Sequence, residues 1–522
     1  MALNAVKVSV LASALFLVGA AAVAFIRSID WRAFARGGHP ISGDSSAVAE
    51  KNGSPCSQGA GSQGDGSLTP GAQSKGVQGT GAQSTGSMAL GAHGAGGAVG
   101  KHGSAPMAAW FARHRGTIGI LAFAVASRVL LYIVAYMFAV IFRDEQRGLI
   151  DSLSSIWQRS DAPHYLDMAV EGYVTEGDHA NFLVFLPFYP LLVSIAAVFV
   201  QNVFAAGLLL SIAPFMAACV FVYKIALRMG YDEGAAFAAA KYMVVFPASF
   251  FVNGTFSEGL FLLLTALFFY FALAHRWLEA GLFGMLAAFT RYYGILLAAP
   301  MAIEYLQSRC GAGGALPQRM LPQGEPPRHT LSQDEPPQLT LPHDMPPQHA
   351  RPASLARLAA GAAPILLVPA GTGMYLLVNY IVAGDALRFL TIQREHWHQS
   401  FGLFSDNIAQ MAENASTWDR VTSMSLFAPQ LALVALTVVL LVYGTAVEFR
   451  LSMQVYLVAY LLVSISASWM LSFPRYIFGA LPVFILLARA AKNRAADSMM
   501  TLFCSVGLVY LTAAYVCGHF VY

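Results

Sequence analysis

Charge is what this sequence has least of. Asp, Glu, Lys and Arg make up 11% of the 522 residues, where a soluble domain of ordinary composition carries about a quarter. Cysteine is scarce as well. Cys56, Cys219, Cys310, Cys504 and Cys517 are scattered, without CxxC or metal-ligand spacing, and three of them fall in apolar runs, as small core residues do. There is no Walker A loop, no Rossmann glycine motif and no HExxH helix. The net charge of +3 is too small to point to nucleic acid. What the few Lys and Arg can report is topology, through the side of the membrane on which they cluster.

Apolar residues fill the space that charge leaves. They make up 57% of the chain, with a mean hydropathy of +0.56. Runs of about 20 apolar residues recur, long enough to cross a ~30 Å hydrocarbon core as helices. The expected fold is therefore all-α and polytopic, with about ten to twelve transmembrane helices. Residues 6–26 form the first apolar run, behind Lys7 and ahead of Arg27, Arg32 and Arg36. We read 1–36 as an uncleaved membrane anchor; a signal peptide ending at the Ala22-Val23-Ala24 site is the competing reading.

Two segments read as disordered chain. Residues 37–107 are rich in Gly, Ser, Ala and Gln, too polar to offset the entropy of ordering, and serve as a tether. A proline-rich insert spans about 308–355. It holds a ten-residue repeat, LPQGEPPRHT, LSQDEPPQLT and LPHDMPPQHA, from Leu321 to Ala350. That period is shorter than any solenoid unit, and its histidines are a weak metal signal. Between and after these lie an N-terminal core, 112–306, and C-terminal helices, 356–522.

The charge clusters thread the core. Arg113 and Arg115 precede the run at 118–142, so that helix starts in the cytoplasm and ends outside. Two crossings at 184–201 and 204–223 would strand Lys224 and Arg228 outside. The conflict disappears if the proline-broken FLPFYPLLVSIAAVFV lies on the outer surface. Spans then follow at about 204–227, 235–252 and 258–275. The run at 278–306 is too long for one helix and divides near Thr290–Gly294. The proline-rich insert is cytoplasmic, and spans at about 358–381, 424–446, 452–470, 476–490 and 499–520 complete the chain.

Under this threading the loop 143–182, the turn Asn253–Glu258, the break at Arg291, the loop with Gln393 and Trp397, and Arg475 all face outward. Ionisable groups at the membrane boundary are costly unless partnered, which makes them functional candidates. An acid with Arg and His nearby suits a reaction on a lipid phosphate: Arg holds phosphate by charge-assisted bonds, and a carboxylate takes a proton from an attacking hydroxyl. Each residue also has a plainer reading. Asp161 could cap the helix starting near Pro163, and His164 could be an interfacial histidine. Glu258 could be a helix-start acid favoured by the dipole, and Arg291 could snorkel. His396, Trp397 and His398 could be an aromatic anchor.

At the first loop the chain resembles the PIG-V family, the second mannosyltransferase of glycosylphosphatidylinositol assembly, with its prokaryotic relatives. The resemblance rests on Asp161-Ala162-Pro163-His164-Tyr165-Leu166, Glu171-Gly172-Tyr173, Asn181-Phe182 and Phe185-Leu186-Pro187-Phe188-Tyr189-Pro190. It continues through Phe246–Phe251, Ser257-Glu258-Gly259-Leu260-Phe261 and Thr290-Arg291-Tyr292-Tyr293-Gly294. Beyond 355 it is carried by Gln393, Trp397 and Arg475. Where the family has Trp before the acid, this chain has Ser160, and its nearest Trp is Trp157.

The resemblance implies an inverting glycosyltransferase of the GT-C type, with surface-lying helices in the first extracytoplasmic loop. Its donor is a polyprenyl-phosphate-linked hexose, mannose in the family, and its acceptor a lipid or glycan. The family's reaction is α-1,6 transfer to a glycosylphosphatidylinositol precursor. Asp161 is then the base. His164, Tyr165, Glu258, Arg291, Gln393, Trp397 and Arg475 bind substrate, and the arginines, Arg394 included, stabilise the departing phosphate with no obligatory metal or cofactor. Its partners are membrane lipids, the donor and the acceptor. Its membrane is the plasma membrane of a prokaryote or the endoplasmic reticulum of a eukaryote, with the active site extracytoplasmic. A transporter or lipid flippase is the rival from another class, and a non-catalytic partner subunit a third reading.

Overall fold

In the computed structural model, which describes residues 105–310, 361–468, 471–519 and 521, the elements are helices, with one isolated bridge between Phe401 and Ala467. Residues 1–36, residues 37–104 of the tether and residues 311–355 of the insert lie outside the described residues. The first described helix, Ala105–Arg143, begins inside the stretch expected to be tether. From His114 onward the described residues fall in one compact unit. The expected N-terminal core and C-terminal helices thus build a single helical body.

Five helices are long and apolar enough to cross a membrane: His114–Arg143, Val203–Arg228, Ala363–Ala383, Arg420–Ala446 and Arg494–Val516. Two bent pairs raise the number to seven if each is one span. They are Asp178–Val184 with Phe188–Val200, bent by 115°, and Glu233–Val245 with Pro247–Asn253, bent by 69°. The chain is a multi-pass membrane protein. Among the described residues three further apolar helices, Glu258–Ala272, Trp277–Thr290 and Leu451–Ile465, are only 14 or 15 residues long, and the expected run at 6–26 lies outside the described residues. At 1.5 Å per residue such a helix covers about 22 Å of a ~30 Å core.

Local chemistry explains the breaks. A proline disfavours helical backbone in the residue before it, and Phe246, ahead of Pro247, is extended at φ −58°, ψ 141°. The run at 235–252 is therefore two pieces, not one straight span. The run at 278–306 divides where expected, into Trp277–Thr290, a 3₁₀ segment Tyr292–Leu297 and Ala298–Cys310, with Arg291 extended at the junction. The stretch at 476–490 also breaks, between Phe473–Phe478 and Pro482–Ala490.

Carbonyls freed by a break inside a membrane must find donors. The buried guanidinium of Arg128 supplies them at Pro247. It donates to Val244 O and Ser249 O at 2.7 Å each and to Asn253 Oδ1 at 3.1 Å. Tyr132 OH donates to Asn253 O at 2.8 Å, and Ser211 Oγ to Val252 O at 3.0 Å.

The outer surface and the two ends divide the remaining residues. Along the first helix Val125, Val129, Ile133 and Met137 are exposed at four-residue spacing, while Ala124, Leu131, Ala135 and Phe138 on the other face are buried. An exposed apolar stripe of that kind suits lipid, not water. At one end of the bundle Arg228 donates to Tyr270 O at 2.9 Å, Arg489 to Val447 O at 2.6 Å, and Arg450 pairs with Glu304. Glu258 and Ser464 sit at the opposite ends of the helices that carry Tyr270 or follow Arg450. The basic clusters and the candidate site thus occupy opposite ends of the same helices.

Close helix contacts depend on two glycines. A Cβ on Gly259 would lie 2.0 Å from Ser211 O, and one on Gly371 2.0 Å from Met285 O. Gly373, on the same helix as Gly371, has nothing within 4 Å of that position. Gly259→Ala and Gly371→Ala are each expected to cost about 1–3 kcal/mol or more through overpacking. Gly373→Ala should be neutral or stabilising by up to about 1 kcal/mol. Thermal unfolding of the three variants in detergent compares them.

Candidate functional site

The site is built where four chain breaks meet. Asp161 stands before the helix Ala162–Glu171, after a corner at Ser160 whose φ of 56° is left-handed and strained for a residue with a side chain. Glu258 opens the helix Glu258–Ala272, just after the segment that Arg128 braces. Arg291 sits at the end of Trp277–Thr290, and Arg475 within Phe473–Phe478. Asp161, Glu258 and Arg291 stand at helix ends, and Arg475 lies in a helix of only six residues, so each side chain can turn toward the common centre.

At that centre is the carboxylate of Glu258, 1% exposed. Its Oε1 accepts from Arg291 Nη1 at 2.6 Å and from Arg475 Nε. Arg475 Nη1 also donates to Asp161 Oδ2, and its guanidinium lies over the rings of Phe256 (4.9 Å) and Phe251 (5.4 Å). Arg291 Nη1 further donates to Ser257 Oγ at 3.1 Å, which meets Tyr165 OH at 3.1 Å. Thr255 Oγ1 donates to Ala162 O at 3.2 Å and ties the two carboxylate-bearing segments together. Two carboxylates and two guanidiniums cancel in formal charge. Asp161 is the most open of the four side chains, at 21% against 11% for Arg291 and 5% for Arg475.

Asp161 makes no side-chain capping bond to its helix. The capping reading is therefore replaced by the pair with Arg475. Arg291 does not snorkel, because it is turned inward to Glu258. Glu258 is more than a helix-start acid, since it holds both arginines.

Beside Asp161 the ring of His164 packs on Phe182 (centroids 4.4 Å apart), Phe185 (5.7 Å) and Trp397 (6.0 Å, edge-on). Burial pushes the His164 pKa down, against the pull of Asp161 and Asp167. The imidazole is neutral near pH 7, which suits a positioning group better than a cation. Tyrosines fasten the roof over it. Tyr173 OH donates to Phe185 O at 2.6 Å, Tyr375 OH to Leu183 O at 2.7 Å, and Tyr292 OH to Val184 O. Just outside, His179 Nδ1 meets Glu171 Oε2 at 2.8 Å, and that bond raises the His179 pKa.

The structure thus brings together Asp161, His164, Tyr165, Glu258, Arg291, Trp397 and Arg475. The Gln393 amide nitrogen donates to Gln399 Oε1 at 2.5 Å, and its own Oε1 is buried. Arg394 is exposed and paired with Glu395 at 3.6 Å, so it does not join the other arginines. Two participants are absent from the sequence-based set, Arg128 and Ser257. A lone Arg inside the apolar run 118–142 was the available signal for the first; the second stands in the Ser257–Phe261 segment, directly before Glu258. Among the described residues, no three or more His, Cys, Asp or Glu side chains group as a metal site. Compared with protein-family models, curated proteins and solved structures, the chain matches none.

Two outcomes follow from this geometry. Glu258→Ala leaves two buried guanidiniums facing each other without their shared anion and should cost about 3–5 kcal/mol, read as a drop in unfolding temperature in detergent. His179 should titrate above the ordinary histidine value of about 6.5, and Glu171→Gln should return it there. Because the folded value is the raised one, the stabilisation is complete below about pH 6.5 and is lost as pH rises through the folded value. NMR titration of labelled histidine measures both the shift and its reversal.

Proposed function

We propose that this protein is a GT-C-type glycosyltransferase. It moves a hexose, mannose by its resemblance to the PIG-V family, from a polyprenyl-phosphate donor to a lipid or glycan acceptor on the extracytoplasmic face. The observation that carries the proposal is the pairing of Asp161, the most open group of the cluster, with Arg475, whose other arm is anchored on buried Glu258.

The chemistry balances on that pair. Asp161 takes the proton of the acceptor hydroxyl, the acceptor oxygen bonds to the sugar's anomeric carbon, and the bond from that carbon to the phosphate oxygen breaks. One negative charge leaves Asp161 and one appears on the departing polyprenyl phosphate. A protonated Asp161 no longer holds Arg475 by charge, so Arg475 can follow the charge to the phosphate, beside Arg291. Such preorganised cations stabilise a leaving group without reorganising solvent. Neither an obligatory metal nor a cofactor enters this reading. Glu258 positions the arginines, while His164 and Trp397 flank the donor or acceptor.

A transporter or flippase would place its ionisable groups near the midplane in both halves of an inverted repeat. The gathering of Asp161, Glu258, Arg291 and Arg475 at one end of the helices favours the transferase.

Purified protein in vesicles, given radiolabelled polyprenyl-phosphate-mannose and a lipid acceptor, should form labelled glycolipid. Asp161→Asn should lower that rate by about 10²–10⁴-fold, the usual worth of a general base, with the fold retained. Near-normal transfer by a folded Asp161→Asn protein would sink the assignment. Label that crosses the bilayer still attached to polyprenyl phosphate would favour the flippase.

A further inference from the structure

The helix Leu451–Ile465 carries Ser452, Tyr456, Tyr460 and Ser464 at four-residue spacing, each 0% exposed. That spacing places them on one face, along about 18 Å at 1.5 Å per residue. At one end Ser452 Oγ donates to Glu304, whose carboxylate is also held by Arg450 through two bonds of 2.5 Å. At the other end Ser464 Oγ donates to Tyr293 OH at 3.2 Å, and the Tyr293 ring stacks on Tyr460 at 4.2 Å. Tyr460 stands in the field of Glu258 and Arg291.

Facing this stripe is the helix of Glu258. Thr265, seven residues beyond Glu258 and so on the same face, lies within hydrogen-bonding reach of the Tyr456 hydroxyl, and Phe269 packs edge-on against Tyr456 at 5.5 Å. Four polar atoms along this line are buried: Glu258 Oε2 and Tyr460 OH have no protein partner, and Thr265 Oγ1 and Tyr456 OH have only each other within reach. Buried polar atoms are costly unless bonded, most of all the oxygen of an ionised carboxylate.

We propose that a file of bound water molecules runs between these two helices and completes the coordination of Glu258. The partners are of the right kind, since a buried water needs two to four polar groups and hydroxyls can both donate and accept. Gly479 lets the Tyr460 hydroxyl approach the backbone here, because a Cβ there would lie 2.5 Å from it. Thr265, Tyr456 and Tyr460 are then positioning residues: through water they hold the second oxygen of the carboxylate that orients Arg291 and Arg475. The inference is independent of the substrate.

Radiolytic hydroxyl labelling of the full chain in detergent, read by mass spectrometry, tests it, because radicals form from water bound in the interior. Tyr189 is the control, equally buried with its hydroxyl bonded to Gly207 O at 2.9 Å. Tyr456 and Tyr460 should be labelled severalfold faster than Tyr189. Tyr456→Phe and Tyr460→Phe should each lower the unfolding temperature, whereas removing a dry, unpartnered hydroxyl would raise it. Labelling at the rate of Tyr189 overturns the proposal, as does a rise in unfolding temperature in both variants.

Discussion

The carboxylate of Glu258 is the one group on which the candidate site depends. A single oxygen binds Arg291 and Arg475, which come from breaks far apart in sequence. Without that anion two guanidiniums would face each other in a low-dielectric interior, where like charges repel strongly. With it, Arg475 is aimed outward and presents its free arm to Asp161. The order runs from the inside out: a fully buried acid fixes a base, and the base fixes a partly open acid. The most open group of the cluster is the one farthest from the anchor.

The breaks that bring these residues together have causes of their own. Pro247 stops one helix, Arg291 interrupts another, and Ser160 turns the chain into Asp161 through a left-handed backbone conformation. Strain of about 1–3 kcal/mol at a residue such as Ser160 persists only where the surroundings fix it. Here the next residue is pinned by Arg475. The aromatic roof over His164 is fastened by three tyrosine hydroxyls that bind the backbone of residues 183–185.

Much of the site was legible in the sequence because charge is rare. An ionisable residue in an apolar run demands a partner, so Asp161, Glu258, Arg291 and Arg475 stood out, and the positive clusters sorted them to one side. The division near Arg291 was legible too, from the length of the run and the polar break within it. Partner identity was not: nothing in the residue order says that Arg475 joins Asp161 to Glu258, or that Arg394 stays outside. Where the apolar runs break was less legible, because hydropathy measures composition and not the straightness of the backbone. The stripe of Ser452, Tyr456, Tyr460 and Ser464 escaped because Ser and Tyr carry no charge and blend into an apolar segment.

The brace at Arg128 also bears on how the chain is made. Apart from Ser127, the residues its guanidinium binds lie 116 to 125 positions later in the sequence. The first of the described helices therefore enters the membrane with a cation that cannot be satisfied until Asn253 has been synthesised. Until then the helix has a reason to stay near the interface, where water serves in place of those carbonyls. Its final depth is set only when the segment around Pro247 arrives. One side chain thus couples the depth of the first described helix to the arrival of a segment more than a hundred residues later.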